Sequence, residues 1–294
     1  MNDKNEVSSS SIGILLLLAV IWGSSFILIK KSLVGFDPYE VAALRISISS
    51  LAFLPFLIVQ WKQIPWTKWM LFLIVGLTGS GIPAFMFPLG QTEISSSIAG
   101  ILNSTTPIFT FLVGILLFNS RFIFLKFAGI VLGLIGTCLL ILYGATEGIG
   151  GKPMYAIFML IGTLCYGTNI NVVKTYFQNI KPTLLSAVSF AMIGPPAIIY
   201  LINRGTVAHV FQNQVDLGSV GAVILLAIFG TVISTVLFFK LVQKTNPVFA
   251  SSVSYLIPIV ATIFGFMDGE NIGIFHFIGM GLILLGVYLI KKGK

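Results

Sequence analysis

The chain has 294 residues, of which 56% are hydrophobic and only 9% charged. Soluble domains carry about 25% charged residues, so the composition excludes an ordinary soluble enzyme and indicates a protein embedded in lipid. The net charge of +8 does not indicate nucleic acid, because the basic residues lie singly or in pairs at the ends of apolar runs. We expect the lipid bilayer and a small-molecule metabolite as partners, and no nucleic acid.

Ten apolar runs, bounded by charged residues, Gly, Pro and Asn, follow one another along the chain. A helix needs roughly 20 apolar residues to cross the hydrocarbon core. The runs are 12–29, 39–59, 69–89, 94–118, 122–143, 154–173, 183–202, 217–239, 247–267 and 272–290. The first run is long enough to span the bilayer, which favours a retained helix over a signal peptide. The sequence predicts an all-α integral membrane protein with ten transmembrane helices.

The basic residues predict the orientation of these helices. With the N-terminus inside, twelve of the 17 basic residues fall on the cytoplasmic side, four fall on the other side, and Arg45 lies within a span. Basic residues are concentrated in cytoplasmic loops of membrane proteins. We therefore expect a multi-pass protein of the cell membrane with both termini in the cytoplasm.

The two halves of the chain repeat one another. A shift of 144 residues places Trp22-Gly23-Ser24-Ser25 on Tyr166-Gly167-Thr168-Asn169, and a shift of 151 places Gly79 on Gly230 and Pro107 on Pro258. Matches in the same order along both halves predict two homologous units, 1–143 and 144–294. Because each unit has five helices, the second enters the membrane from the opposite side. This inverted repeat is common in secondary transporters.

Two prolines near the centres of their runs, Pro107 and Pro258, predict broken helices. Each removes the hydrogen bond to the carbonyl four residues earlier, which belongs to Asn103 or Ser254. A freed carbonyl inside a membrane has to face a wet cavity or another partner. We interpret the polar residues Asn103, Thr106, Ser254 and Tyr255 as a binding site near the bilayer midplane. The alternative is a packing kink whose carbonyls are satisfied by Ser and Thr hydroxyls.

Two further sets of residues are candidates for the same site. Trp22 with Ser25, and Tyr166 with Asn169, place an aromatic ring beside a polar group on one helix face, which suits an amphipathic ligand; helix packing explains them equally well. Arg45 is a charge within a span and is by default a site candidate. It suits an anionic group such as a carboxylate, with snorkelling to the head groups as the alternative.

Cofactor and metal chemistry find no support in the sequence. The two Cys and two His lack metal-ligand spacing, and nucleotide-binding or catalytic motifs are absent, so we expect no cofactor, no metal and no enzymatic activity. Glycines at 129, 133, 279, 281 and 286 predict close helix packing. Contact within one chain is favoured, with a dimer interface as the alternative.

Several segments together resemble the EamA-type ten-helix branch of the drug/metabolite transporter superfamily. They are Trp22-Gly23-Ser24-Ser25-Phe26, Ala43-Leu44-Arg45, the two prolines, and Gly269-Glu270 before a glycine-rich last helix. The first half departs from the pattern at Ser120, where the family has a glutamate. The resemblance implies a secondary transporter that works by alternating access and exports metabolites such as amino acids. Multidrug or nucleotide-sugar carriage and an intramembrane transferase stay as alternatives.

Overall fold

The computed structural model describes residues 8–94, 96–144, 153–212, 215–267 and 274–293, and every regular element in this part of the chain is helical. The helices are α1 (Ser9–Ser32), α2 (Pro38–Val59), α3 (Trp69–Gly76), α4 (Ile82–Gln91), α5 (Ser96–Asn103), α6 (Thr106–Phe118), α7 (Phe124–Gly144), α8 (Ala156–Tyr176), α9 (Pro182–Arg204), α10 (Thr206–Phe211), α11 (Leu217–Ala227), α12 (Ser234–Lys244), α13 (Pro247–Ser251), α14 (Val253–Met267) and α15 (Ile274–Lys292). The predicted all-α class is confirmed.

Six helical segments within the described residues are long and apolar enough to cross a bilayer: Ser9–Ser32, Pro38–Val59, Trp66–Gln91, Ala156–Tyr176, Pro182–Arg204 and Leu217–Lys244. Shorter apolar helices cover Thr106–Phe118, Phe124–Leu139 and Pro247–Val260. Large apolar side chains such as Leu116 and Ile202 are exposed on the outside of the bundle, as expected for a surface in contact with lipid. The chain is a multi-pass membrane protein.

Two of the long segments contain a π-helical turn. Leu77–Gly81 joins α3 to α4, and Ile228–Ile233 joins α11 to α12. A π turn inserts one extra residue into an α-helix, changes the direction of the following side chains, and occurs often at functional sites. The shift of 151 residues places Gly79 of the first turn on Gly230 of the second.

The ends of the helices are tied together by polar contacts. Asp37 begins α2 in a capping box with Glu40, which satisfies backbone N–H groups of the first turn. Arg204, at the end of α9, pairs with Asp37 at 2.8 Å, and the Thr206 hydroxyl donates to Glu40 at 2.6 Å. Asp216 caps α11, and hydrogen bonds from the N–H and hydroxyl of Ser219 lower the pKa of this carboxyl.

A reciprocal contact joins the last turns of α8 and α12. The Lys174 ammonium donates to the carbonyls of Gln243 and Thr245, at 3.2 and 2.5 Å. The Gln243 amide in turn donates to the carbonyls of Phe177 and Ile180, at 2.7 and 2.8 Å. Carbonyls at helix C-termini have no partner within their own helix, so this exchange satisfies both ends and fixes α8 against α12.

Helices α7 and α15 pack through glycines. A Cβ added to Gly129 would lie 2.6 Å from the carbonyl oxygen of Gly286, and one added to Gly136 would lie 2.6 Å from that of Gly279. Backbones this close leave no room for any side chain. The glycine seam is therefore a contact within one chain, whereas Gly281 faces open space.

Candidate functional site

A cavity lies among the helices of both halves, with about 850 Å³ of space free of protein atoms, including its open part. Side chains from α1, α2, α4, α8 and α12 line it, together with residues at the breaks between α5 and α6 and between α13 and α14. Eight of the nine side chains predicted to bind substrate lie in its wall: Trp22, Ser25, Arg45, Asn103, Thr106, Tyr166, Asn169 and Ser254.

On one side of the cavity, α1 contacts the second π turn. The Trp22 indole N–H donates to the carbonyl of Gly230 at 3.2 Å, and its ring packs edge-on against Phe238 at 5.1 Å between centroids. The hydroxyl of Ser25 donates to the Ile21 carbonyl in its own helix. Its oxygen would lie 2.9 Å from a Cβ at Gly230. The protein thus satisfies the polar end of the indole, which leaves the ring as an apolar part of the wall.

On the other side, α8 contacts the first π turn in the same way. The Asn169 amide nitrogen donates to the Val75 carbonyl at 2.9 Å, and it would lie 2.6 Å from a Cβ at Gly79. Tyr166 stacks on Phe87 with ring centroids 5.7 Å apart. The residue pairs matched in the sequence, Ser25 with Asn169 and Gly79 with Gly230, therefore meet crosswise, each helix contacting the π turn of the other half.

Arg45 is held in the cavity wall by a neutral partner. Its Nε–H donates to the Thr231 hydroxyl oxygen at 2.5 Å, and that hydroxyl donates to the Leu226 carbonyl at 3.3 Å. Leu226 lies five residues before Thr231, just before the π turn. Among the residues that the structure describes, no carboxylate lies within 4 Å of the guanidinium. Its terminal amino groups are therefore free to bind a ligand.

The two carbonyls predicted to be freed by proline both have hydroxyl partners. The carbonyl of Asn103 accepts from the Thr106 hydroxyl at 2.7 Å, and that of Ser254 accepts from the Ser104 hydroxyl at 3.1 Å. This is the alternative stated for the kinks, in which hydroxyls satisfy the carbonyls. The Asn103 side-chain amide is different: the residue is only 8% exposed, lines the cavity, and its amide has no hydrogen-bond partner among the described residues.

The two prolines lie at different positions relative to the helix breaks. Between α5 and α6 the break falls at Ser104 and Thr105, and Pro107 lies in the first turn of α6, where its missing N–H costs nothing. Between α13 and α14 the break falls at Ser252, six residues before Pro258, which lies inside α14. The second proline therefore bends a helix that has already restarted.

Tyr255 lies outside the cavity. It is fully buried, its hydroxyl donates to the Ile130 carbonyl of α7 at 2.9 Å, and its ring packs against Gly133. Consecutive residues of a helix point about 100° apart, so Tyr255 faces α7 while Ser254 faces the cavity. The structure gives this tyrosine a packing contact between α14 and α7.

The cavity also contains residues that the sequence analysis did not select. Ser80, Thr235 and the aromatic residues Phe87, Phe238 and Phe239 line it. The phenylalanines are indistinguishable in sequence from lipid-facing ones. The sequence did contain a signal for Ser80, because the shift of 151 residues places it on Thr231, the partner of Arg45.

An all-helical membrane protein with a central cavity, walled by polar and aromatic side chains from both halves, has the architecture of a transporter. The model of the EamA-like transporter family matches residues 9–142 and 153–291. The chain belongs to this family and is a transporter of the EamA type, so the resemblance to the drug/metabolite transporters is confirmed.

Curated relatives extend over nearly the whole chain. An uncharacterized inner membrane transporter of Escherichia coli K12, YedA, is 25% identical over 96% of this chain and 90% of its own length. A probable amino-acid metabolite efflux pump of the same organism is 26% identical over 93% and 92%. A solved structure described as "Crystal structure of protein" has a TM-score of 0.72 at 19% identity, covering 96% of each chain. That likeness supports the fold alone.

Proposed function

We propose that the protein is a secondary carrier that exports small organic metabolites, such as amino acids, by alternating access. The observation that carries this proposal is the central cavity, in which Arg45 has no carboxylate partner among the described residues. A buried guanidinium is stabilised by an anionic ligand, and the similar E. coli protein is named as a probable amino-acid metabolite efflux pump.

The carrier is proposed to consist of two inverted five-helix units, residues 1–143 and 144–294, with ten membrane crossings and both termini in the cytoplasm. Two observations support the division into two units. The family model matches once in each half, and the contacts of Ser25 with Gly230 and of Asn169 with Gly79 are equivalent under the sequence shifts. Equivalent contacts on both sides of one cavity allow each half to rock against the other around a fixed site.

In the proposed site, each type of wall residue has a role. Arg45 binds the carboxylate, and the rings of Trp22 and Tyr166 contact the apolar part of the metabolite. Asn103, whose amide is free, hydrogen-bonds a further polar group. Four other polar residues donate side-chain hydrogen bonds to helix carbonyls: Ser25, Thr106, Asn169 and Ser254. These residues therefore shape the cavity wall.

A multidrug carrier is the second candidate, because aromatic residues from four helices line the cavity and such walls accept varied apolar ligands. The two candidates differ in their dependence on Arg45. A metabolite carrier needs the guanidinium for recognition, whereas a carrier of apolar or cationic drugs does not.

The test is transport by purified protein in proteoliposomes. Labelled amino acids and related carboxylates, and in parallel a cationic dye, are loaded inside, and their exit is followed with wild-type protein and with Arg45→Gln. Loss of carboxylate exit in Arg45→Gln supports the metabolite carrier. If the dye exits equally with wild-type protein and with Arg45→Gln, and no carboxylate exits, the metabolite carrier is overturned in favour of the multidrug carrier.

A further inference from the structure

The charge of the cavity wall is unbalanced. Among the described residues that line it, Arg45 is the only basic one and none is acidic. Asp37 and Glu40, the acidic residues of the same helix, are engaged at its first turn by Arg204 and Thr206. The described wall therefore presents one positive charge and otherwise neutral groups.

This imbalance affects the two charges of an amino acid differently. A carboxylate placed against the free amino groups of Arg45 forms a strong, charge-assisted pair. An α-ammonium in the same cavity would be desolvated beside a like charge, without an anionic partner in the described wall. The nearby carbonyls of Asn103, Ser254 and Gly230 already accept hydrogen bonds from the protein, so they offer little compensation.

The polar groups that are free in the wall are neutral. Ser80 is 8% exposed, lines the cavity, and its hydroxyl has no hydrogen-bond partner among the described residues; the Asn103 amide is in the same situation. The repeat explains why Ser80 is free. Its counterpart Thr231 is occupied by Arg45, while the counterpart of Arg45 under the shift of 144 is Ser189, whose short side chain offers no equivalent charged donor.

Resting on the proposed function and narrowing it, we propose that the preferred substrate is a carboxylate with a single negative charge whose other polar groups are uncharged. This class replaces the zwitterionic amino acids that the proposed function gives as its example. The carboxylate binds Arg45. A hydroxyl, keto or acylated amino group at the neighbouring carbon binds Ser80 and Asn103, and an apolar side chain lies between Trp22 and Tyr166. Hydroxy, keto and N-acyl derivatives of apolar amino acids belong to this class.

The experiment compares matched compounds in proteoliposome counterflow at neutral pH, with protein-free liposomes as the blank. The pairs are phenyllactate with phenylalanine, indolelactate with tryptophan, and 2-hydroxyisocaproate with leucine, each differing only in hydroxyl against ammonium. We expect the hydroxy acid of at least one pair to exchange roughly tenfold faster or more, because the ammonium is desolvated without an anionic partner. Equal or faster exchange of the amino acids overturns the charge proposal and leaves the carrier function intact. Exchange of no compound overturns the proposed function itself.

The role of Ser80 has its own readout. Ser80→Ala is expected to slow phenyllactate exchange by roughly fivefold, the loss of one hydrogen bond, while leaving 3-phenylpropionate, which lacks the hydroxyl, unchanged. Gly221→Ala is the control, because a Cβ there meets nothing within 4 Å. If Ser80→Ala slows both acids equally, the serine does not bind the neutral group.

Discussion

Arg45 shows how one residue can distinguish recognition from snorkelling. Arginine and lysine both snorkel, but only the guanidinium donates Nε–H to Thr231 while presenting two parallel N–H groups to a carboxylate. Arg45→Lys is therefore expected to lower carboxylate transport at subsaturating substrate by roughly tenfold or more. Initial exit rates from proteoliposomes measure this. Arg204→Lys, in an exposed ion pair, is the matched control and is expected to transport like the wild type; equal rates for both variants would rule out recognition by Arg45.

Two asparagines in different surroundings allow effects on transport to be distinguished from effects on stability. The Asn103 amide is free in the cavity wall, whereas the Asn171 amide donates to the carbonyls of Thr110 and Gly167, both at 2.9 Å. Asn103→Leu is expected to preserve folding and abolish most transport. Asn171→Leu is expected to cost about 1–3 kcal/mol of stability while the folded fraction still transports. Exit rates and thermal unfolding are measured together.

The opposite pattern, with a destabilised but active Asn103→Leu variant, would place the ligand elsewhere in the cavity. Ser254→Leu is expected to impair transport, because the larger side chain would occupy part of the cavity. The serine is only 3% exposed, and its hydroxyl already donates to the Ser251 carbonyl.

At the scale of elements, each π turn contains a glycine in close contact with a helix of the other half. A Cβ at Gly79 would lie 2.6 Å from the Asn169 amide nitrogen and displace it from the Val75 carbonyl. Gly79→Ala is therefore expected to lower the melting temperature and the transport rate, while Gly221→Ala, which meets nothing within 4 Å, changes neither. Adding Asn169→Ala removes the clash and is expected to restore the melting temperature. Failure of this rescue would show that the π turn itself, and not its contact with α8, needs the glycine.

The glycine seam between α7 and α15 gives a second prediction for elements. A Cβ at Gly286 would lie 2.6 Å from the Gly129 carbonyl oxygen and 2.8 Å from the Gly133 nitrogen. Because both are backbone atoms, the helices have to separate, and Gly286→Ala is expected to cost about 1–3 kcal/mol. Thermal unfolding in detergent measures the loss. Gly281→Ala, on the open face of the same helix, is expected to be neutral; equal melting temperatures for both variants would contradict the packing.

At the scale of the whole molecule, the charge distribution predicts the orientation in the membrane. In a background with Cys138 and Cys165 replaced by serine, single cysteines at Lys152 and Arg204 are expected to react with an impermeant thiol reagent in intact cells. Cysteines at Lys181 and Lys294 are expected to react only after the membrane is opened, because basic residues concentrate on the cytoplasmic side. Labelling in the reverse pattern would overturn the orientation.

The sequence by itself determined the all-α membrane class and eight of the side chains that line the cavity. An apolar run long enough to span the bilayer forms a helix in lipid, since a helix satisfies all its backbone groups internally. Polar residues in such runs are costly, so Arg45, Asn103 and Asn169 could be selected without a structure. Repetition between the halves pointed to Gly79 and Gly230 as equivalent positions.

Only the tertiary structure decided which polar groups are occupied and which are free. Ser254 and Tyr255 differ in their direction about one helix, so only one of them faces the cavity. The Asn103 carbonyl accepts from a hydroxyl three residues later, and the Ser254 carbonyl accepts from one in a helix break 150 residues away. Arg45 donates to Thr231, 186 residues later in the chain, whereas the Ser80 hydroxyl has no hydrogen-bond partner among the described residues. Hydrogen bonds between distant helices follow from their packing, so no local pattern in the sequence encodes them.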